Sequence, residues 1–261
     1  MMALILAGAS AAGAAAQSPT RTIKGTVVDS ANHKPLPSAA IYILRMPTGK
    51  RTGGDGAFRV STDTDVTILM VRRTGYVPAL VSVAPGAAGS EADAGTIAIR
   101  QVKSDSDRAA VEDVDRKVFP ELGRFYDRKS RYGKSGAIFL APDDLGKIGG
   151  GLFSYIREKP GFHFVCYITQ RGEWDCGEQR GRGRTSIMNP NPTSAEQPQC
   201  LLHVWYNAVG VGPQKTLDQV QMGDILAVEA YPNPSVTPPE FAGSPCAAIM
   251  LWMKPWEPGG S

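Results

Sequence analysis

The chain is expected to fold as two β-rich units, an all-β sandwich followed by a small α+β domain with a mixed sheet. Three observations predict this. Up to about residue 102, short apolar runs alternate with Gly, Pro, Asn and Asp clusters at even spacing, the pattern of strands joined by turns. The 29 Gly and 20 Pro among 261 residues exceed their usual share without forming low-complexity tracts, and an all-α fold is excluded. Beyond residue 123, strand-like and helix-like segments are mixed. With 42% apolar and 20% charged residues the chain is globular and long enough for two ordinary domains. A net charge of +3 is too small a footprint for nucleic acid.

Residues 1–17 form an Ala-, Leu- and Ile-rich stretch ending in small residues at Ala14 to Ala16 and Gln17, which reads as a signal peptide. It is too short to span a bilayer, so an exported mature chain with no transmembrane segment is expected. No Lys or Arg precedes Arg21, which places the true start upstream or makes the signal atypical. No Cys follows the apolar run, which argues against a lipid-modified N-terminus.

Residues 22–102 are taken as the sandwich. Ile23 to Asp29 and Ala39 to Leu44 read as strands around a polar turn, and Ala57 to Val60 returns after the Gly53 to Gly56 turn. Thr67 to Val71, Ala79 to Val83 and Thr96 to Ile99 are further strands. His33, in a turn beside Pro35, reads as a solvated side chain and not as a general base.

The runs Gly25 to Asp29, Pro35 to Ile43, Thr52 to Val60 and Arg72 to Pro78 resemble the carboxypeptidase regulatory-like domain. The turn Asp55 to Phe58 with Gly75 and Tyr76 carries the most specific part of the likeness. The resemblance implies a non-catalytic immunoglobulin-like (transthyretin-like) sandwich, also described as a carbohydrate-binding-like fold.

Residues 103–123 change composition, and Val111, Val114, Val118 and Phe119 recur at helical spacing. A helical linker ending near Pro120 is expected. Arg124 to Lys134 interleaves basic and aromatic residues and reads as an exposed lead-in loop. Ala137 to Leu140 is then a strand, and Pro142 to Ile148 a short helix with Asp143 and Asp144 at its positive end. After Gly149 to Gly151 come a helix over Leu152 to Lys159 and a strand over Phe162 to Ile168. Thr169 to Gln199 is a long polar excursion whose Arg171, Arg180, Arg182 and Arg184 form a candidate surface for an anionic partner, against the plainer reading of a solvated loop. Cys200 to Tyr206 reads as one strand and Leu217 to Val220 as a helical turn. Gly223 to Lys254 reads as two apolar strands joined by a Pro-rich crossover, with Ile225, Leu226 and Val228 expected to face one layer.

Gly136 to Leu140, Pro142 to Leu145, Glu158 to Gly161, Leu201 to Ala208, Gly223 to Tyr231, Pro239 to Phe241 and Cys246 to Trp252 together are similar to the plug domain of TonB-dependent outer-membrane receptors. The likeness covers about 125–253 of a unit bounded at 124–254, with 255–261 as a tail. It implies a small α+β plug-like domain at the outer membrane. No TonB box precedes it, Ala247 stands where Gly is usual, and the surrounding receptor barrel is expected to be absent from this chain.

All four cysteines, Cys166, Cys176, Cys200 and Cys246, lie in the second half. In an oxidising compartment they are expected to pair, with local spacing favouring Cys166–Cys176 and Cys200–Cys246 among three connectivities. The sharpest metal candidate is His163 and Cys166 with Cys200 and His203, residue types suited to tetrahedral zinc. Positions three apart on a strand point to opposite faces, which argues against one shared site. No nucleophile elbow and no phosphate-binding Gly loop is present. The expectation is therefore a non-enzymatic exported module without a cofactor, periplasmic or outer-membrane associated. Its partner would be a protein at the outer membrane, such as a separately encoded barrel, or a glycan. The competing class is a zinc-dependent or unfamiliar enzyme using the His163/Cys166/Cys200/His203 set.

Overall fold

The structure, a computed structural model, describes residues 20–43, 46–66, 68–162, 164–168, 174–178, 200–201, 203–213, 220–233, 235–241 and 247–254. It is β-rich with few helices. The first half comprises β1 (Thr20–Asp29), β2 (Ala40–Ile43), β3 (Met46–Arg51), β4 (Ala57–Asp63), β5 (Ile68–Arg72), β6 (Ala79–Ser82) and β7 (Glu91–Ile99). These form two sheets, ordered β4-β1-β7 and β3-β2-β5-β6. Strand β1 runs antiparallel to β4 and parallel to β7. Alternation along the strands sends Ile23, Val27, Phe58, Val60 and Ile97 of one sheet against Ile41, Leu69 and Val71 of the other, in a sandwich-like core.

The turn into β4 depends on Gly56. Its φ is +75°, and a Cβ there would lie 2.4 Å from the Val27 carbonyl oxygen. Its own carbonyl accepts from Val27 N at 2.8 Å, which holds the turn against β1. Only a residue without a side chain fits both demands.

The second half begins with α1 (Asp105–Val118) and α2 (Leu122–Tyr132). Helix α1 starts with a capping box: Ser104 Oγ accepts from Asp107 N, and Asp107 Oδ2 accepts from Ser104 N. There follow β8 (Ile138–Leu140), α3 (Pro142–Leu145), α4 (Leu152–Arg157), β9 (Phe164–Ile168), β10 (Trp174–Glu178), β11 (Cys200–Leu201), β12 (His203–Tyr206), β13 (Val209–Pro213), β14 (Ile225–Tyr231) and β15 (Ala248–Met253). Strands β9 to β11 make a small sheet ordered β11-β10-β9. The larger sheet is ordered β13-β12-β15-β14-β8, and it is mixed because β12 runs parallel to β15 while its other pairs are antiparallel.

Both faces of this sheet are covered. Leu145, Leu152, Phe153, Ile156 and Phe162 pack on one side against Ile225, Val228, Ile249 and Leu251. Phe119, Leu122, Phe125 and Tyr126 pack on the other against Leu226, Tyr231, Met250 and Trp252. A central strand covered on both faces tolerates an unbroken apolar run, which is how β14 and β15 read in the sequence.

Three expectations are corrected. Residues 124–134 are not an exposed loop: most of them lie in α2, because Leu122, Phe125, Tyr126 and Arg128 fall on one helical face and are buried there. Residues 200–206 are not one strand but two short ones in different sheets. Ile225, Leu226 and Val228 do not share a layer. Ile225 and Val228 face the α3 and α4 side while Leu226 faces α1 and α2, because a register shift between Ile225 and Ala227 displaces the alternation by one residue. The helical turn expected at Leu217 to Val220 lies mostly outside the described residues.

Candidate functional site

The period of two along β2 and β5 splits their side chains between two environments. Ile41, Leu69 and Val71 enter the sandwich core, whereas Tyr42, opposite Met70, and Ala40, opposite Arg72, lie on the other face. That face meets the second half. Met70 joins the core of α1 and α2, and the Tyr42 ring meets Phe119 edge-on at 6.5 Å.

Arg72 is the polar centre of this contact. It is 6% exposed, and its guanidinium donates to both carboxylate oxygens of the fully buried Asp115 on α1. Its Nε donates to Asp143 Oδ1 of α3 at 2.8 Å, and Tyr126 OH of α2 donates to Asp115 Oδ2 at 2.5 Å. Burial opposes the charge on Arg72, but Asp115 and Asp143 more than offset it and hold the guanidinium protonated. Burial and the adjacent Asp115 push the Tyr126 hydroxyl pKa well above its ordinary value, so it stays a donor.

A second buried network lies inside the second half. Glu229 of β14, fully buried, accepts from Arg128 Nε at 2.7 Å and Nη2 at 2.8 Å, from Tyr231 OH at 2.6 Å and from Trp252 Nε1 at 2.7 Å. Arg128 also donates to Glu240 at 3.0 Å and lies over the Phe241 and Trp252 rings. Burial opposes the Arg128 charge and the bonds to Glu229 restore it. Four donors occupy the Glu229 carboxylate, and it serves as an anchor between α2, β14 and β15.

Beside the Arg72 network a cleft of about 490 Å³ opens between the halves. Tyr42, Phe119, Leu145, Met222 and Leu226 give it apolar walls, and Arg51, Arg72, Arg73, Asp143 and Lys254 give it charge. This is the candidate site, and its size suits a small ligand.

Arg171, Arg180, Arg182, Arg184, His163 and Cys246 fall outside the described residues. The backbone register sets Cys166 directly opposite Cys176 across β9 and β10, and Cys200 of β11 opposite Glu178 of β10. His203 sits in β12, in a different sheet from Cys166 and Cys200, so the topology does not gather that set on one sheet. Among the described residues no cluster of His, Cys, Asp and Glu is arranged to hold a metal. Sequence reasoning passed over Arg72, Asp115, Arg128 and Glu229. A signal was available for two of them, because Glu229 interrupts the apolar run of β14 and Arg72 closes that of β5, and a charge inside such a run implies a buried partner.

No family model matches the chain, and no curated protein matches it. Among solved structures it has partial likenesses. One is to 3-chlorocatechol 1,2-dioxygenase from Rhodococcus opacus, at 12% identity over 33% of this chain and 62% of that one, with a TM-score of 0.25. Another is to hydroxyquinol 1,2-dioxygenase from Pseudomonas putida, at 12% identity over 33% and 58%, with a TM-score of 0.23. A third is to a type II cohesin-X-dockerin complex from Acetivibrio cellulolyticus, at 13% identity over 30% and 56%, with a TM-score of 0.22. The chain thus spans less than two thirds of each of these, and likenesses this partial carry no functional argument.

Proposed function

We propose that this chain is an exported, non-enzymatic interaction module, periplasmic or outer-membrane associated, that binds a protein or glycan partner. In this reading the first half is the immunoglobulin-like, carboxypeptidase regulatory-like sandwich and the second half the plug-like domain, in the order in which they stand at the N-terminus of TonB-dependent receptors. The observation that carries the proposal is how the buried ionisable groups are used. The fully buried Asp115 and Glu229 and the partly buried Asp143, carboxylates that would otherwise be acid–base candidates, are each bound to an arginine that ties separate elements together. Groups saturated in this way hold a shape, which is what a docking module requires. Support also comes from the apolar N-terminal stretch and from the even number of cysteines. Among the described residues no helix is long and apolar enough to cross a membrane.

The test is fractionation of native cells followed by crosslinking in the intact envelope. Recovery in the outer-membrane fraction, crosslinked to one defined partner, is the expected result. A chain found only in the cytoplasm, or one showing metal-dependent turnover after purification, overturns the proposal.

A further inference from the structure

The cleft between the halves carries more positive charge than its own structure uses. Of the charged groups lining it, Arg72 and Asp143 belong to the network described above, in which the one guanidinium meets two carboxylates, Asp115 and Asp143. Arg51, Arg73 and Lys254 remain, and none of them forms an ion pair among the described residues. Arg51 donates to the Ser38 carbonyl at 3.1 Å, and Lys254 Nζ donates to the Gly223 carbonyl. The Arg73 guanidinium lies 5.3 Å from the Tyr76 ring centroid, and its Nη1 is buried with no hydrogen-bond partner among the described residues. Burial lowers the Lys254 pKa, with Asp224 opposing and Arg51 adding to the effect, so its charge sits in surroundings that disfavour it. A buried donor without a partner, as at Arg73 Nη1, is costly to a fold that gains nothing from it. The apolar wall of Tyr42, Phe119 and Leu226 stands in the same cleft.

We propose that the cleft is a binding site for a small amphiphilic carboxylate, its anionic head held by Arg51, Arg73 and Lys254 and its apolar body lying against Tyr42, Phe119 and Leu226. A guanidinium presents a planar fork of donors that matches a carboxylate, and Lys254 supplies a point charge beside it. The apolar wall selects against a bare inorganic anion, and the cations select against a neutral amphiphile. The site does not depend on the compartment or the partner proposed above, because it is tested on the purified chain alone.

The probe is octanoate, titrated into the purified full chain by isothermal titration calorimetry, with octanol and acetate as partners lacking the charge or the apolar body. Saturable one-site binding of octanoate is expected, with octanol and acetate at least about tenfold weaker. Raising the salt concentration should weaken octanoate binding. Arg73→Gln and Lys254→Met should each weaken it about tenfold, the loss of one charge-assisted bond. Arg59→Gln, on the exposed face of β4 where Arg59 pairs with Glu91, should leave it unchanged. Octanol binding as tightly as octanoate, acetate binding equally well, absence of saturable octanoate binding, or full affinity in folded Arg73→Gln and Lys254→Met each overturns the proposal. The ligand comparison on the wild-type chain decides the matter even if a variant fails to fold.

Discussion

Arg72 at the end of β5 and Asp115 near the C-terminal end of α1, 43 positions apart, form a buried ion pair that joins the sandwich-like half to the mixed-sheet half. Two further elements meet at the same point, since Asp143 of α3 takes the Arg72 Nε and Tyr126 of α2 caps Asp115. One guanidinium therefore ties the first half to two helices of the second, and through Asp115 to a third. Removing Arg72 leaves Asp115 buried without a counter-charge, and removing Asp115 leaves Arg72 with Asp143 alone.

Asp115→Ala is accordingly expected to lower the stability of the chain by about 3–5 kcal/mol, read from urea unfolding. Arg72→Met should cost a comparable amount. The double variant should cost clearly less than the sum of the two, because the second change removes the orphaned charge left by the first. Strict additivity would show that the pair does not couple the halves.

The Glu229 anchor can be dissected donor by donor. Trp252→Phe removes one hydrogen bond to a charged acceptor while preserving the aromatic packing, and should cost about 1.5–3 kcal/mol. Glu229→Gln should cost more, about 3–5 kcal/mol, because it removes the buried counter-charge of Arg128, leaving only the more exposed Glu240, and turns an amide NH2 toward donors. A Glu229→Gln chain as stable as wild type would contradict the buried-pair reading.

Gly56→Ala should cost more than about 2 kcal/mol, since an L-residue at φ +75° is strained and the new Cβ would meet the Val27 carbonyl. Gly54→Ala, two residues earlier in the same turn, meets nothing within 4 Å and should change stability by less than about 0.5 kcal/mol. The contrast is measurable by thermal unfolding of the two variants side by side.

Asp107 provides a pH signature. The Arg100 guanidinium, followed by the Lys103 and Ser104 donors, holds its pKa well below the usual carboxylate value of 3.8. A carboxylate with a depressed folded-state pKa stabilises above its unfolded pKa, and that contribution disappears as the pH falls through the folded value. The difference in melting temperature between wild type and Asp107→Asn should thus be full at pH 6 and shrink below about pH 3.8. A difference independent of pH would assign the effect of the substitution to helix capping alone.

Much of the strand content was legible along the chain, because period-two burial and turn chemistry are local. Ala57 to Val60 alternates so strictly that only a half-buried strand fits it, and Gly53 to Gly56 could only be a turn. The apolar runs of β14 and β15, with a Pro-rich segment between them, read as two strands, and both are strands in the fold. By itself, then, the sequence determined many of the extended segments, though not β3, β10 or β13, the need for glycine in the turn before β4, and that the chain is β-rich. Tertiary structure alone decided the partners. That residues 124–134 belong mostly to a buried helix, that Leu226 turns away from Ile225 and Val228, and that Cys166 and His203 belong to different sheets all follow from packing across long sequence separations. The cleft and its three cations without an ion pair among the described residues were equally invisible, because Arg51, Arg73 and Lys254 come from distant segments. A charge reveals its role only when its neighbours in space are known, and spacing along the chain does not supply them.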